Sequence, residues 1–168
     1  MSVDYTLEDG LSETLAAEFG LPIERILAWC AVLLGDFGDQ QASLSLVLTR
    51  DETIRAINQE HRGKDSATDV LSFSQVEDPA DAETAALPPA MLAAVGDGFP
   101  RYLGDIVVNM ERARSQASQY GNDLIAETKR LLVHGFLHLL GHDHVHGGRQ
   151  AAKMKREELR LAALLAEA

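Results

Sequence analysis

Four of the six histidines in this 168-residue chain lie in the segment 134–144. His134 and His138 are four positions apart, so on a helix both imidazoles project from one face, with β-carbons about 5–6 Å apart. Gly141 follows where a left-handed helix cap is expected, and a turn there can return His144 to the same face. Three histidines without an obvious fourth ligand are typical of catalytic zinc, which keeps one position for water. The spacing therefore predicts one zinc ion per chain, bound by His134, His138 and His144.

The other histidines of the turn are weaker candidates. A histidine pair at i, i+4 is by itself a weak indication of a metal, and the third histidine with the glycine makes the pattern more specific. His142 and His146 lie in the same turn as His144, but neighbours at i, i+2 do not face one way in a regular segment. We therefore expect only one parity to point inward, with His144 as the ligand and His146 as its alternative.

The predicted metal site favours hydrolysis. Zinc held by three neutral imidazoles lowers the pKa of bound water from about 15.7 to about 7 and can polarise a phosphoryl oxygen, so a phosphodiester is a suitable substrate. Zinc metalloproteases of the His-Glu-x-x-His type carry a glutamate beside the first ligand, where this chain has Gly135. A metal-dependent protease remains an alternative, and the missing glutamate counts against it.

Length and composition predict one domain with one core, since 46% of the residues are hydrophobic. The longest apolar run, 26–34, is far shorter than the roughly 20 residues that span a bilayer, and the first residues lack the basic start of a signal peptide. The single cysteine, Cys30, excludes a disulfide within the chain and is expected to be a buried, inert thiol. These features predict a cytoplasmic protein without a membrane partner.

The net charge of −11 argues against nucleic-acid binding, but its distribution weakens that objection. Residues 1–100 carry 18 acidic and 5 basic side chains, whereas residues 101–160 carry 7 acidic and 10 basic ones. Residues 101–160, which contain the three predicted zinc ligands, are therefore mildly basic. This charge permits an anionic substrate without indicating one.

Periodicity and capping residues predict the elements that position the histidines. Strands are expected at 3–7, 43–48, 69–74 and 103–108, and helices at 22–35, from 51, at 110–120 after the cap Asn109, from about 124 and at 150–166. Either Asn122 or Asp123 caps the helix that carries His134 and His138, and its leucines predict a largely buried central helix. Residues 77–99 are acidic, contain no basic residue and predict a surface insert with a short helix at 90–94.

Three separate motifs together resemble the bacterial endoribonuclease YbeY family of rRNA maturation factors. They are HGxLHLxGHDH at 134–144, RGKD at 62–65 with TDVLSF at 68–73, and LGDI at 103–106. The resemblance covers roughly residues 40–165 and does not extend to the first 20 residues or to the insert 77–99. It implies an α+β fold in which a four-stranded mixed sheet is packed with about five helices around a central metal-bearing helix, and we expect residues 1–168 to form this single domain. It also implies zinc on the three histidines and single-strand-specific cleavage of RNA. The implied role is maturation of the 16S rRNA 3′ end and ribosome quality control, with the 16S rRNA precursor, the small ribosomal subunit and the Era GTPase as partners.

The same resemblance implies roles for residues outside the histidine segment. A loop at 61–65 folded over the metal would bring Arg62 to the substrate, where a guanidinium can bind a phosphate through two donors and stabilise charge in the transition state. Without the resemblance, a surface ion pair is the better interpretation of Arg62. Within the histidine segment, and independently of the resemblance, Asp143 is expected either to orient a ligand imidazole or to cap the turn. Thr68, Asp69 and Ser72 are expected in or near the cleft. A non-catalytic ribosome assembly factor with a structural metal remains open beside the enzyme.

Overall fold

A four-stranded mixed sheet carries the helices of this protein. The computed structural model describes residues 1–8, 11, 20–75, 101–142 and 148–167. The strands are β1 (Ser2–Leu7), β2 (Ala42–Thr49), β3 (Val70–Ser74) and β4 (Arg101–Asn109), in the sheet order β1-β2-β4-β3. β1 and β4 both run parallel to β2, and β3 runs antiparallel to β4. All four predicted strands are therefore present, and β1 is an edge strand.

Five helices surround this sheet within the described residues. They are α1 (Ile23–Phe37), α2 (Asp51–Arg62), α3 (Met110–Tyr120), α4 (Leu124–Leu139) and α5 (Gly148–Ala166). The Asn109 side chain accepts hydrogen bonds from the first-turn amides of α3, and the Asp123 side chain accepts one from the amide of Ala126 in α4. These are the capping contacts that polar residues make with the unpaired N–H groups of a helix N-terminus. The predicted α+β class with a mixed four-stranded sheet is confirmed.

The two faces of the sheet are covered unequally. Alternate residues of β2, namely Leu44, Leu46 and Leu48, are completely buried in a large core that also contains side chains of α1, α4 and α5. On the opposite face, α2 contributes Ile54 to a small cluster with Leu71 and Val107. The main core therefore lies on the face that supports α4. Cys30 belongs to this core, and burial raises the pKa of its thiol to about 12, as expected for an inert cysteine.

Helix α4 lies at the centre of the main layer. It contacts α3, α5, β3, β4 and α1, and its buried residues include Leu131, Leu132 and Phe136. An almost continuous apolar surface of this kind is typical of a helix enclosed by other elements. The predicted burial of the central helix is confirmed.

Gly104 of β4 pairs with Ser74 of β3 and has a φ of 131°. A Cβ atom at this position would lie 2.0 Å from the backbone oxygen of Phe73 on β3. Only glycine fits a strand that has both this backbone conformation and this spacing. Gly104 therefore allows β3, one wall of the cleft described below, to pair with β4.

Two expectations lie outside the described residues: the short helix at 90–94 and the surface placement of the insert 77–99. None of the helices in the described part of the chain has the length and apolarity needed to cross a membrane.

Candidate active site

His134 and His138 form the centre of a cleft at the C-terminal end of α4. Their Nε2 atoms are 3.1 Å apart, and their rings meet edge to face at 77° with centroids 4.6 Å apart. The i, i+4 spacing on a helix places both rings on one face, as the sequence predicted. The two imidazole nitrogens therefore converge on one point.

The helix ends just beyond His138 in the predicted glycine cap. Gly141 has a φ of 79°, its N–H donates to the carbonyl of His138, and the N–H of His142 donates to the carbonyl of Leu137. This pair of bonds is the Schellman arrangement, in which a left-handed residue satisfies the last carbonyls of a helix. The turn after the second histidine is therefore fixed by local hydrogen bonds.

The histidine pair is suited to zinc. Two Zn–N bonds of about 2.0–2.1 Å at a tetrahedral angle place the ligand nitrogens about 3.3–3.4 Å apart, close to the separation of the two Nε2 atoms. Three residues of the predicted site lie outside the described residues: the third ligand His144, its alternative His146, and Asp143, which was predicted either to orient a ligand imidazole or to cap the turn. Within the described ranges, no group of three or more His, Cys, Asp or Glu side chains could hold a metal ion. The pair therefore fits as two of the three predicted ligands, and the third stays a prediction.

The side chains of two elements and one loop converge on the histidine pair around a cleft of about 380 Å³. The cleft is lined by residues of α2, the following loop, β3 and α4: Arg62, Thr68, Asp69, Val70, Ser72, Ser74, His134 and His138. Four of the residues that the sequence placed near the metal therefore lie in one cavity with the two histidines. Val70 and Ser74 were not predicted to line it.

Arg62 reaches the cleft from the last turn of α2. Its Nη2 donates a 3.1 Å hydrogen bond to the carbonyl oxygen of Ser72, and its guanidinium carbon lies 5.7 Å from the centre of the Phe73 ring. Arg62 makes no ion pair with any residue that the structure describes, so the surface-pair interpretation is not supported there. The guanidinium is exposed and oriented by a neutral carbonyl, which leaves its charge available for an anion.

Asp69 anchors the start of β3. One carboxylate oxygen accepts hydrogen bonds from Thr68 Oγ1 and from the amide of Val70, and the other lies 3.3 Å from Arg130 Nη2. Burial raises the pKa of Asp69, but hydrogen bonds from Gln116 and the backbone, with the charge of Arg130, outweigh it and leave the pKa below its usual value. Asp69 is therefore ionised at neutral pH and poorly matched to general-base catalysis, which favours a pKa near the working pH.

Gly135, beside the first histidine, faces β3 and β4. A Cβ atom on it would lie 2.8 Å from Cγ2 of Ile106, 3.2 Å from Oγ of Ser72 and 3.4 Å from Cγ2 of Val70. A glutamate cannot occupy this position without displacing α4 from β3 and β4. The absence of a metalloprotease glutamate is therefore a packing requirement of this fold.

Sequence reasoning missed Glu158 on α5. Its Oε1 lies 2.9 Å from Nδ1 of His134, and its Oε2 lies 3.3 Å from Nζ of Lys155. Partial burial raises the pKa of Glu158, but hydrogen bonds with His134 and Lys155 outweigh it, so the pKa lies below its usual value. The available signal was its place on the buried stripe of α5, between Met154 and Leu161.

Charges on α5 act on His142, which follows the C-terminal cap of α4. Burial lowers its pKa, and the charge of Lys153 acts in the same direction, while Glu157 opposes both. These neighbours belong to α5 and do not line the cleft. His142 is likewise not among the residues that line the described part of the cleft, and its exclusion as a ligand stays a prediction.

The sequence of this chain is similar to known proteins over most of its length. A model of the endoribonuclease YbeY family matches residues 17–166, a range that contains every residue lining the cleft. The chain belongs to the endoribonuclease YbeY family. It is 36% identical to endoribonuclease YbeY of Chloroflexus aurantiacus over 161 residues, which covers 96% of each chain. It is 42% identical to endoribonuclease YbeY of Geobacillus kaustophilus over 138 residues, which covers 81% of each chain.

A solved structure supports the fold of this YbeY family member. The solution structure of TM1509 from Thermotoga maritima matches with a TM-score of 0.56 and 20% identity, covering 98% of this chain and 89% of that one. At this level of identity the likeness concerns the fold alone. The predicted architecture is therefore supported by an experimental structure.

Proposed function

We propose that this protein is a zinc-dependent endoribonuclease that cleaves single-stranded RNA, and that it acts in maturation of the 16S rRNA 3′ end and in ribosome quality control. The observation that carries the proposal is the shared cleft, in which Arg62 lies with the convergent Nε2 atoms of His134 and His138. Membership in the endoribonuclease YbeY family supports RNA as the substrate.

The residues of the cleft divide the work between metal and substrate. His134, His138 and His144 would hold one zinc ion, which supplies Lewis-acid activation of water and of a phosphoryl oxygen when it is bound. Arg62 binds the phosphate through its planar pair of donors and stabilises the negative charge that develops there. Ser72 keeps the guanidinium at the edge of β3, so the phosphate meets an arginine that is already oriented.

A protease is the weaker candidate for this cleft. Proteases of the His-Glu-x-x-His type depend on a carboxylate beside the first ligand, and here that position is Gly135, packed against Ile106. Asp69, the carboxylate that lines the described part of the cleft, is committed to Arg130 and to backbone amides. Neither position provides the protein-derived base that peptide hydrolysis would use.

The proposed substrate determines the proposed partners and location. The partners are the 16S rRNA precursor, the small ribosomal subunit and the Era GTPase, and the location is the cytoplasm. The family resemblance supports these finer assignments, and a non-catalytic assembly factor with a structural metal is the competing proposal.

The deciding experiment combines metal analysis with RNA cleavage. Zinc content is measured by elemental analysis, and cleavage is measured on one end-labelled RNA as a single strand and as a duplex with its complement. We expect one zinc per chain and cleavage of the single strand only. The double variant His134→Ala, His138→Ala should lose both zinc and cleavage, while His142→Ala, a matched histidine outside the cleft, should retain both.

Three results would contradict the proposal. Full zinc occupancy in the double variant would remove these histidines from the metal site. A folded, zinc-free double variant that still supports 16S rRNA maturation would favour the non-catalytic factor. Digestion of casein by the zinc-loaded protein would instead support the protease.

A further inference from the structure

We propose that Glu158 is a positioning residue of the metal site, whose carboxylate holds Nδ1–H of His134 and thereby presents the Nε2 lone pair to the ion. The inference rests on the proposed zinc site. It adds to that site a residue from α5, 24 positions beyond His134 in the chain.

Two contacts of His134 with described residues indicate its tautomer. An ionised carboxylate can only accept a hydrogen bond, so the 2.9 Å contact with Glu158 places the proton on Nδ1 of a neutral His134 ring. Nε2 then carries a lone pair and can accept. The 3.1 Å contact with Nε2 of His138 agrees, because His138 can donate to that lone pair in the absence of metal.

The two oxygens of Glu158 have separate partners. Oε1 contacts His134, while Oε2 lies 3.3 Å from Nζ of Lys155, one turn earlier on the same helix. The side chains of His134 and Glu158 are 23% and 25% exposed, so their contact is shielded from most solvent, whereas that of Lys155 is 70% exposed. The interaction with His134 is therefore the better shielded of the two.

Helix α5 presents Glu158 from a fixed position. Met154, Leu161 and Leu165 are buried, and Glu158 lies on the same helical stripe. Arg160 makes two 2.7 Å hydrogen bonds to Asp36 of α1, and Lys129 of α4 donates to the carbonyl of Leu165. A ligand partner carried by such a packed element restricts the imidazole more than one carried by a loop.

Glu158 should therefore contribute to metal affinity without touching the metal. A hydrogen-bond acceptor on the outer nitrogen fixes the ring of a metal-bound histidine and makes it a stronger donor, and loss of such a partner typically costs about 10- to 100-fold in affinity. The neighbouring Glu157 provides a matched control, because it pairs with Arg160 and carries the same charge.

The test uses the full chain with Zn²⁺ as the probe. Zinc dissociation constants are measured by competition with a chromophoric chelator for wild type, Glu158→Ala, Glu158→Gln and Glu157→Gln. The tautomer of His134 is read in the metal-free proteins at pH 8 from long-range ¹H–¹⁵N correlations of the imidazole rings, with its signals identified by their loss in His134→Asn. Circular dichroism establishes that each variant is folded.

We expect Glu158→Ala to bind zinc about 10- to 100-fold more weakly than wild type. Glu158→Gln should lose less, since its amide oxygen still accepts a hydrogen bond, and Glu157→Gln should match wild type. The Nδ1–H tautomer should dominate in wild type and Glu157→Gln and become a mixture in Glu158→Ala. If Glu158→Ala does not fold, the comparison of the two glutamine variants decides.

Two outcomes would overturn the inference. One is zinc affinity in folded Glu158→Ala equal to that of Glu157→Gln. The other is a wild-type His134 ring protonated at Nε2. A wild-type protein that binds no zinc would instead refute the metal site in the proposed function, and the tautomer measurement would still decide the role of Glu158.

Discussion

The substitution Gly135→Ala tests how tightly α4 packs against the sheet, because helix propensity and packing should change the free energy of unfolding in opposite directions. In an open helix position, Gly→Ala stabilises by about 0.5–1 kcal/mol because alanine loses less backbone entropy. At Gly135 the added methyl would lie 2.8 Å from Cγ2 of Ile106, which is completely buried on β4. Overpacking of this kind costs about 1–3 kcal/mol, so Gly135→Ala should lower the free energy of unfolding by about 0–2.5 kcal/mol in total.

The chain contains a matched control. Gly35 also lies within a helix, α1, and a Cβ there would meet no atom within 4 Å. Gly35→Ala should therefore raise the free energy of unfolding by about 0.5–1 kcal/mol. The two variants make the same chemical change, so their difference of about 1–3 kcal/mol reports the contact between α4 and the sheet.

The assay is urea denaturation of wild type and both variants without metal, followed by circular dichroism. A double-mutant cycle with Ile106→Ala tests whether the loss of stability comes from this contact. Removal of Cγ2 of Ile106 should make room for the new methyl group and give a coupling energy on the order of 1 kcal/mol. Equal stabilisation by Gly135→Ala and Gly35→Ala would refute the reasoning, since it would mean that α4 has room for a side chain against β3 and β4.

Three further predictions concern the cleft and its walls. Arg62→Lys should lower kcat about 10²- to 10³-fold in single-turnover RNA cleavage, with zinc content and melting temperature unchanged, because lysine lacks the planar pair of donors; near wild-type turnover would contradict a role in catalysis. Asp69→Asn should lower the free energy of unfolding by about 1–2 kcal/mol at pH 7. Because the pKa of Asp69 is lowered in the folded protein, its ionised carboxylate stabilises the fold above the usual pKa of 3.8, and this stability is lost as the pH falls below that value. The urea midpoints of wild type and Asp69→Asn should therefore converge from pH 7 to pH 3, and a constant difference between them would argue against the ionised form. Gly104→Ala should cost at least about 2 kcal/mol in thermal unfolding, because its methyl meets the Phe73 carbonyl; a melting temperature equal to that of wild type would exclude the clash.

Local sequence signals were sufficient for most elements. Asn109 identified the start of α3, and the pair Asn122 and Asp123 located the start of α4, where the structure selects Asp123, because a capping side chain binds amides only two or three positions away. Gly141 identified the end of α4 for the same reason, since both hydrogen bonds of its cap span a few residues. The i, i+4 spacing of His134 and His138 likewise determined their shared face.

Long-range relations were beyond such signals. The position of β4 between β2 and β3 depends on tertiary packing, which leaves no local pattern. Glu158 lies far from His134 in sequence, and charged residues on an amphipathic helix are usually solvated, so no local pattern predicted its contact with His134. The sheet-facing role of Gly135 required the distance between α4 and Ile106.

Within the described residues β3 is an outer strand of the sheet, and this position has a consequence for solubility. Hydrogen bonds to β4 involve Asp69 and Gln75, so alternate residues such as Ser72 direct their backbone groups to the outer side. An outer strand with open backbone groups is a template for pairing with a second chain, and natural proteins protect such edges with charged side chains. Arg62 is such a charged side chain, because its guanidinium donates a hydrogen bond to the outward carbonyl of Ser72. Replacement of Arg62 by a short apolar residue would therefore also expose a strand edge to intermolecular pairing, and such a variant should aggregate more readily than Arg62→Lys.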